Sequence, residues 1–192
     1  SHTLIMRPQR MYRVEGVIIH RRSYGEADRF LTLFTKHHGK IRVLAKGIRK
    51  ITSKRAPHLD TLSIVSLVVY TGKSIDTVGE CARLSKQFSF TSDLSKVSFS
   101  YYVCELVDAL TALNITNENQ FFMFLKTLQK IELARERSEL YQIVYEFALS
   151  LLISLGFLPG GSEVKSDGIN QFIESVIERR LKTVKLLTSF AN

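Results

Sequence analysis

The chain has 192 residues, of which 45% are hydrophobic, and its formal net charge is +9 at pH 7. This length suits one larger domain or two small ones, and no stretch reaches the roughly eighteen apolar residues of a membrane span. Cys81 and Cys104 are too few and too far apart for a zinc site or a disulfide framework. Because the first residues also lack the apolar core of a signal peptide, we expect a reduced, cytoplasmic protein.

The first 80 residues alternate between apolar and polar side chains, as short β-strands do. In "RFLTLFT" this alternation puts Phe30, Thr32 and Phe34 on one face, and the two leucines between them on the other. Five such segments with glycine-containing turns predict a small barrel of the OB type, because a sandwich needs about seven strands. The candidate strands are RVEGVIIHRR, RFLTLFT, IRVLAK, LSIVSLVVY and IDTVGECA.

From about residue 84 the apolar spacing becomes helical, with one stripe from Phe99 to Leu113 and a last helix predicted to carry Ile169 through Val184. Asn117 and Gln120 predict a capping box at the start of a helix between these two. We therefore predict an α+β protein. We expect residues 1–82 to form a five-stranded OB-fold and residues 83–192 to form a helical bundle.

The excess of positive over negative charge is confined to the predicted barrel. Residues 1–80 contain fifteen Lys or Arg and six Asp or Glu, whereas residues 81–192 contain twelve of each class. Residues 29–59 contain nine basic residues and no acidic one. Charge that only serves solubility is normally mixed in sign, so this asymmetry indicates a polyanionic partner for the barrel.

Motifs for catalysis, cofactors or metals are missing or incomplete. "TGKS" at residues 71–74 lacks the upstream glycine and the following helix of a phosphate-binding loop. His37 and His38 are better explained as turn residues than as metal ligands. Glu26 and Asp28 lie among arginines and lack a third carboxylate, so we expect them to pair with Arg29 or a loop amide. The sequence therefore predicts a protein that is not an enzyme and that has no catalytic residue, cofactor or metal site.

The basic segment has the composition of a nucleic-acid-binding surface. Phosphates need Lys and Arg, and contacts to bases without sequence preference need aromatic faces, of which Tyr24, Phe30 and Phe34 are candidates. For the two phenylalanines the core is the favoured position. Composition by itself does not separate DNA from RNA. The predicted phosphate-binding residues are Arg21, Arg22, Lys40, Arg42, Lys46, Arg49, Lys50, Lys54 and Arg55.

The stretch "RSYGEADRFLTLFTKHHGKIRVLAKGIRK", residues 22–50, resembles the N-terminal signature of the RecO family of bacterial recombination and repair proteins. The family pattern is Tyr-Gly-Glu-x-Asp-Arg, a strand ending in Phe-Thr, then Gly-Lys and Ala-Lys-Gly-x-Arg. The chain matches it with Tyr24, Gly25, Glu26, Asp28, Arg29, Phe34, Thr35, Gly39, Lys40, Ala45, Lys46, Gly47 and Arg49. Including "LGFLPG", the resemblance extends from about Arg13 to Pro159.

The resemblance implies a mediator of homologous recombination and DNA repair with an N-terminal OB-fold and a C-terminal helical domain. Such a protein binds single- and double-stranded DNA without sequence preference, uses no nucleotide and anneals complementary strands. It contacts RecR and the acidic C-terminal tail of single-strand DNA-binding protein, and so helps RecA to load on coated strands. The resemblance also implies a cytoplasmic, nucleoid-associated protein in bacteria.

The sequence departs from the family pattern after "FLPG". Many members carry a four-cysteine zinc module there, whereas "GSEVKSDGINQF" contains no cysteine, so no zinc site is implied. Residues 160–168 are short by comparison with the pattern.

The pocket for the acidic tail should combine apolar side chains with a cation for the terminal carboxylate. By residue type alone the candidates for that cation are Lys126, Lys130, Arg179 and Arg180. Two other functions stay open at this point. One is a protein–protein adaptor whose basic barrel binds the acidic tail of a partner, with incidental DNA binding. The other is an RNA-binding OB protein, which the fold alone suggests.

Overall fold

A computed structural model describes residues 10–49, 59–90 and 93–188. Within these ranges five strands precede five helices, as predicted for an α+β protein. The strands are β1 (Met11–Tyr24), β2 (Asp28–Thr35), β3 (Gly39–Ala45), β4 (Ile64–Tyr70) and β5 (Asp76–Arg83). The helices are α1 (Leu94–Leu110), α2 (Glu118–Leu133), α3 (Arg137–Ser154), α4 (Ile169–Ile177) and α5 (Val184–Thr188).

The strands close into a barrel in the order β1-β2-β3-β5-β4, which confirms the predicted OB architecture. Strand β1 is long enough to pair with β4 through its first half and with β2 through its second half. An irregularity between Ile18 and His20 separates the two pairings and lets the strand bend around the barrel. A short parallel pairing of β3 with β5 closes the ring.

The two faces of β2 have different neighbours, as the alternation of its sequence predicts. Leu31 and Leu33 are fully buried inside the barrel, together with Ile41 and Val43 of β3. Phe34, on the opposite face, packs edge-on against Phe121 and Phe124 of α2, with ring centroids 5.7 and 5.3 Å away. The part of the outer face around Phe34 therefore belongs to the helical core.

The connector between α1 and α2 lies against the start of β3. The backbone amide of Asn114 donates to the carbonyl of Lys40 at 2.8 Å, and Leu113 forms an isolated parallel bridge with Lys40. Gly39 permits this approach because its φ is +65° and a Cβ there would overlap with the carbonyl of Ile115. The prediction that the first helical stripe includes Leu113 is wrong, since α1 ends at Leu110.

Helix α2 begins at an Asn cap, as the sequence predicts. The Asn117 side chain accepts a hydrogen bond from the backbone N–H of Gln120 at 3.0 Å. The reciprocal half of the predicted capping box is replaced by a tertiary contact, because the Gln120 amide donates to Ser154 Oγ at 3.0 Å. No helix in the described ranges is long and apolar enough to cross a membrane.

The single last helix predicted from Ile169 to Val184 is two helices. Helix α4 ends at Ile177, and Glu178 adopts a left-handed conformation with φ of +58°. The Glu105 carboxylate of α1 then accepts hydrogen bonds from the backbone N–H groups of Lys182 and Thr183 at 3.0 and 3.1 Å. Because this contact comes from a residue far away in the chain, the apolar spacing of the segment does not reveal the break.

Candidate nucleic-acid interface

The outer face of β1, β2 and β3 brings two of the predicted arginines together. Arg22 lies opposite Phe30 in the β1–β2 pairing, and Arg42 lies opposite Thr32 in the β2–β3 pairing. Residues two apart on a strand share a face, so Arg22 and Arg42 lie on the same side of the sheet as Phe30 and Thr32. Both arginines are exposed.

Phe30 lies on the same face of the sheet and is half-buried. The guanidinium carbon of Arg22 lies 5.5 Å from the centroid of the Phe30 ring, and the Tyr24 ring meets Phe30 edge-on at 4.8 Å. A guanidinium near an aromatic face gains a cation–π interaction, and its planar set of N–H donors matches the geometry of a phosphate.

A concavity of about 410 Å³ opens beside this face, between β3, the β4–β5 loop and the α1–α2 connector. We call it the β3 groove. Its lining residues are Arg22, Phe30, Ile41, Arg42, Gly72, Lys73, Ser74, Ile75, Asp76, Leu113 and Asn114.

The groove contains a cation that the sequence analysis did not select. Lys73 lies in "TGKS", which was considered only as a phosphate-binding loop, and it is exposed on the groove wall. The order of the strands could have identified it, because the loop between the fourth and fifth strands of an OB-fold borders the binding face. The acidic neighbour Asp76 is already bonded to the hydroxyl of Tyr12 at 2.8 Å and to the amide of Gly72 at 3.1 Å. The groove therefore has three exposed cations and one carboxylate committed to internal contacts.

The segment after β3 is tied to the β1–β2 turn. The Asp28 carboxylate accepts a hydrogen bond from the amide of Gly47 at 2.7 Å, which confirms the predicted bond to a loop amide. Arg49 donates from Nη1 to the carbonyl of Gly25 at 2.9 Å, and both Arg49 and Lys46 are exposed. These contacts hold Lys46 and Arg49 at the end of the barrel next to the β1–β2 turn.

Lys40 is buried, so the prediction that it binds a phosphate is corrected. Its residue exposure is 4%, and Nζ donates to the backbone carbonyls of Asp108 and Thr111 at 2.7 and 2.5 Å. The Asp108 carboxylate lies 3.7 Å from the same Nζ. Burial lowers the pKa of Lys40, and the Asp108 carboxylate partly opposes that shift. Lys40 therefore caps the carbonyl end of α1 and joins the barrel to the helices.

Arg21 faces a different part of the surface from Arg22. Its guanidinium forms an ion pair with Asp60 at 2.6 Å and lines a cleft of about 360 Å³ between β1 and α1. The structure therefore does not bring Arg21 into the β3 groove. The predicted residues Lys50, Lys54 and Arg55 lie outside the described residues.

The candidate cations for a partner tail fall into two environments. Lys126 and Lys130 line a shallow groove between α2 and α3 beside Met123 and Ile143. Arg179 and Arg180 are each within 4 Å of a carboxylate, at 3.7 Å from Glu105 and 3.8 Å from Glu174. Lys126 and Lys130 thus combine cations with apolar neighbours, and Glu146 lines the same groove.

The two histidines considered above are turn residues. His37 Nδ1 lies 3.1 Å from Glu118 Oε1, and the ring of His38 stacks on Tyr12 with a centroid distance of 5.0 Å. Among the residues that the structure describes, no group of three or more His, Cys, Asp or Glu side chains is placed to hold a metal ion.

Two family models match consecutive parts of the chain. One, described as "Recombination protein O N terminal", covers residues 6–86, and the other, "Recombination protein O C terminal", covers residues 91–163. Together they follow the same division into barrel and helices that the structure has.

The chain is also similar to curated proteins named "DNA repair protein RecO". It is 35% identical over 150 residues to one from Roseiflexus sp. (strain RS-1), an alignment that covers 78% of this chain and 52% of the relative. A relative from Pelotomaculum thermopropionicum is 29% identical over 150 residues, with 78% and 57% covered. The chain thus spans about half the length of the curated relatives it matches. The names of these relatives state a role in DNA repair and no catalytic activity.

Proposed function

Since the chain belongs to the RecO family of DNA repair proteins, we propose that it binds DNA without sequence preference through the β3 groove. The observation that carries this proposal is the convergence of Arg22, Arg42 and Lys73 on one concavity beside Phe30. These residues come from three separate segments, and their charges are exposed and of one sign. Lys46 and Arg49 extend the same charge toward the β1–β2 turn.

The proposed binding is mainly electrostatic. Each phosphate that a cation neutralises releases condensed counterions, so the logarithm of the binding constant falls with the logarithm of salt concentration by about 0.7 per phosphate on a single strand. The same neutralisation lowers the repulsion between two complementary strands held on one protein. This supports strand annealing as part of the proposed activity, and we propose that the protein associates with the DNA of the nucleoid.

We also propose the partners that the family resemblance implies: RecR, single-strand DNA-binding protein and, through them, RecA. For the acidic tail of single-strand DNA-binding protein we propose the shallow groove between α2 and α3. Lys126 and Lys130 would receive carboxylates there, and Met123 and Ile143 would contact apolar side chains of the tail. Leu133, with 77% of its surface exposed at the end of α2, extends the apolar area.

Anisotropy of a labelled single strand with the full chain, titrated with salt, tests the DNA proposal. We expect Arg42→Ala and Lys73→Ala each to weaken binding to all sequences alike by about threefold to tenfold, and to reduce the salt slope by about 0.7. Lys165→Ala is the matched control, because Lys165 is an exposed lysine of the helical half outside the groove. If both groove variants bind as the control does, the groove is not the DNA site.

The same anisotropy measurement distinguishes a DNA-binding protein from a protein–protein adaptor. An adaptor would bind an acidic peptide through its basic barrel, while its affinity for bare oligonucleotide at physiological salt would be weak and insensitive to Arg42→Ala. Competition between DNA and RNA strands of matched sequence decides between the two nucleic acids.

A further inference from the structure

The β3 groove has an apolar component that phosphate binding does not explain. Phe30, Ile75 and Leu113 line it together with the cations, and each comes from a different element of the chain. Phosphate requires cations and amide donors, whereas a base requires apolar or aromatic surface. The lining therefore matches both parts of a nucleotide.

The helical half supplies one wall of this groove. Leu113 and Asn114 belong to the α1–α2 connector, and Leu113 has 38% of its surface exposed. Their position is determined by the bonds of Lys40, whose Nζ binds the carbonyl end of α1 and whose backbone carbonyl accepts from the Asn114 amide. Because Arg42 follows Lys40 by two residues on the same strand face, the apolar wall is held in register with the cations.

Another part of the groove lining places a cation next to an aromatic ring. The Arg22 guanidinium carbon lies 5.5 Å from the centroid of the Phe30 ring, so a planar cation and an aromatic ring are adjacent at the groove without a ligand. Arginine planes and aromatic rings are the surfaces on which proteins stack unpaired bases.

We propose that the β3 groove takes one unpaired DNA base, held between the Arg22–Phe30 pair and the wall formed by Leu113. This inference rests on the proposed function and adds that the site prefers single-stranded DNA. A duplex offers its phosphates to Arg22, Arg42 and Lys73, but its bases are stacked and paired and enter a pocket only after unstacking. The volume of about 410 Å³ lies in the range of roughly 300–1,000 Å³ that is usual for pockets of small ligands.

A single strand that contains abasic sites tests the proposal, because it keeps the phosphates and lacks the bases. With the full chain, we expect an intact thymidine strand to bind about tenfold more tightly than an abasic strand of the same length at the same salt concentration. Equal affinity for the two strands would overturn the proposal.

Substitutions in the connector then test whether Leu113 is responsible for the preference for the intact strand. Leu113→Ser should reduce the preference for the intact strand, measured as the ratio of the two affinities, by about threefold to tenfold. Ile115→Ser is the matched control, since Ile115 is 64% exposed in the same connector and does not line the groove. Leu113→Ala serves as a second variant that adds no polar group. If Leu113→Ser and Leu113→Ala keep the full preference, as Ile115→Ser should, the wall does not contact a base.

The outcomes distinguish this inference from the proposed function. If Arg42→Ala and Lys73→Ala weaken both strands equally and neither strand is preferred, DNA binding by the groove stands and base insertion falls. If Arg42→Ala and Lys73→Ala change neither affinity, the proposed site and the inference fall together.

Discussion

Lys40 and Arg42 show how two basic residues of one strand acquire opposite roles. They are separated by one residue in β3 and carry the same charge. Lys40 lies where β3 meets the end of α1 and is 4% exposed, whereas Arg42 lies beyond the helices and is exposed. The difference depends on which neighbours the tertiary structure supplies, so only one of the two is available to a phosphate.

We predict that Lys40→Met lowers stability and Arg42→Ala lowers DNA affinity. Removal of the Lys40 ammonium leaves the carbonyls of Asp108 and Thr111 without their donor, at a cost of about 2 kcal/mol in the free energy of unfolding. Arg42→Ala is a surface change and should alter that free energy by less than about 0.5 kcal/mol.

Urea denaturation and strand anisotropy on the same two variants check this prediction. A lower denaturation midpoint at an unchanged slope is expected for Lys40→Met only. An unchanged midpoint together with a loss of affinity in Lys40→Met would mean that Lys40 contacts DNA after all.

At the scale of elements, the segment between α4 and α5 depends on one carboxylate of α1. Glu105 accepts hydrogen bonds from the Lys182 and Thr183 amides and from the Thr183 hydroxyl at 2.9 Å, and its carboxylate lies 3.7 Å from Arg179. Its side chain is only 11% exposed, so these bonds are largely protected from water. A negative charge next to the N-terminus of α5 also stabilises that helix through its dipole.

We predict that Glu105→Ala loosens this segment without unfolding the bundle. The amides of Lys182 and Thr183 lose their acceptor, so their hydrogen exchange should accelerate by about tenfold or more, while amides in the middle of α1 keep their protection. Exchange followed by NMR checks this. Glu163→Ala, at an exposed carboxylate, should leave the pattern unchanged, and a Glu105→Ala pattern equal to that control would contradict the role given to Glu105.

At the scale of the whole molecule, the barrel and the helices share one core. Val17, Ile19 and Phe34 are at most 3% exposed and belong to the same apolar cluster as the helices. The proposed boundary between residues 82 and 83 therefore separates strands from helices, but the two parts share a large apolar contact. Such contacts between units of one chain oppose their separate motion.

We predict that a fragment of residues 1–82 does not fold as a stable barrel. Truncation exposes Val17, Ile19 and Phe34 to water and leaves Lys40 without the end of α1. Each fully buried apolar side chain of this size contributes about 1.5–3 kcal/mol, and the sum approaches the total stability of a small domain.

Circular dichroism and size-exclusion chromatography of the fragment check this prediction against the full chain. Loss of the cooperative thermal transition or self-association is the expected result. A monomeric fragment with the strand signal and melting transition of a folded barrel would show that the first 82 residues form an independent domain.

Much of the architecture follows from the sequence because it depends on local periodicity. Alternation in β2 identified Leu31 and Leu33 as one face and Phe34 as the other, and Asn117 marked the start of α2. The groove was only partly predictable. Arg22 and Arg42 were selected by their charge, whereas Lys73 was missed because it is far from the basic segment in the chain.

By itself, the sequence determined the barrel, the helical half, the family and the excess of positive charge in the first 80 residues. Only the tertiary structure decided which charges reach solvent together. Arg22, Arg42 and Lys73 meet because the barrel closes, and Lys40 is buried because α1 ends above it. The physical reason is that periodicity reports the face of an element on which a residue lies, while burial and partners depend on contacts between residues distant in the chain.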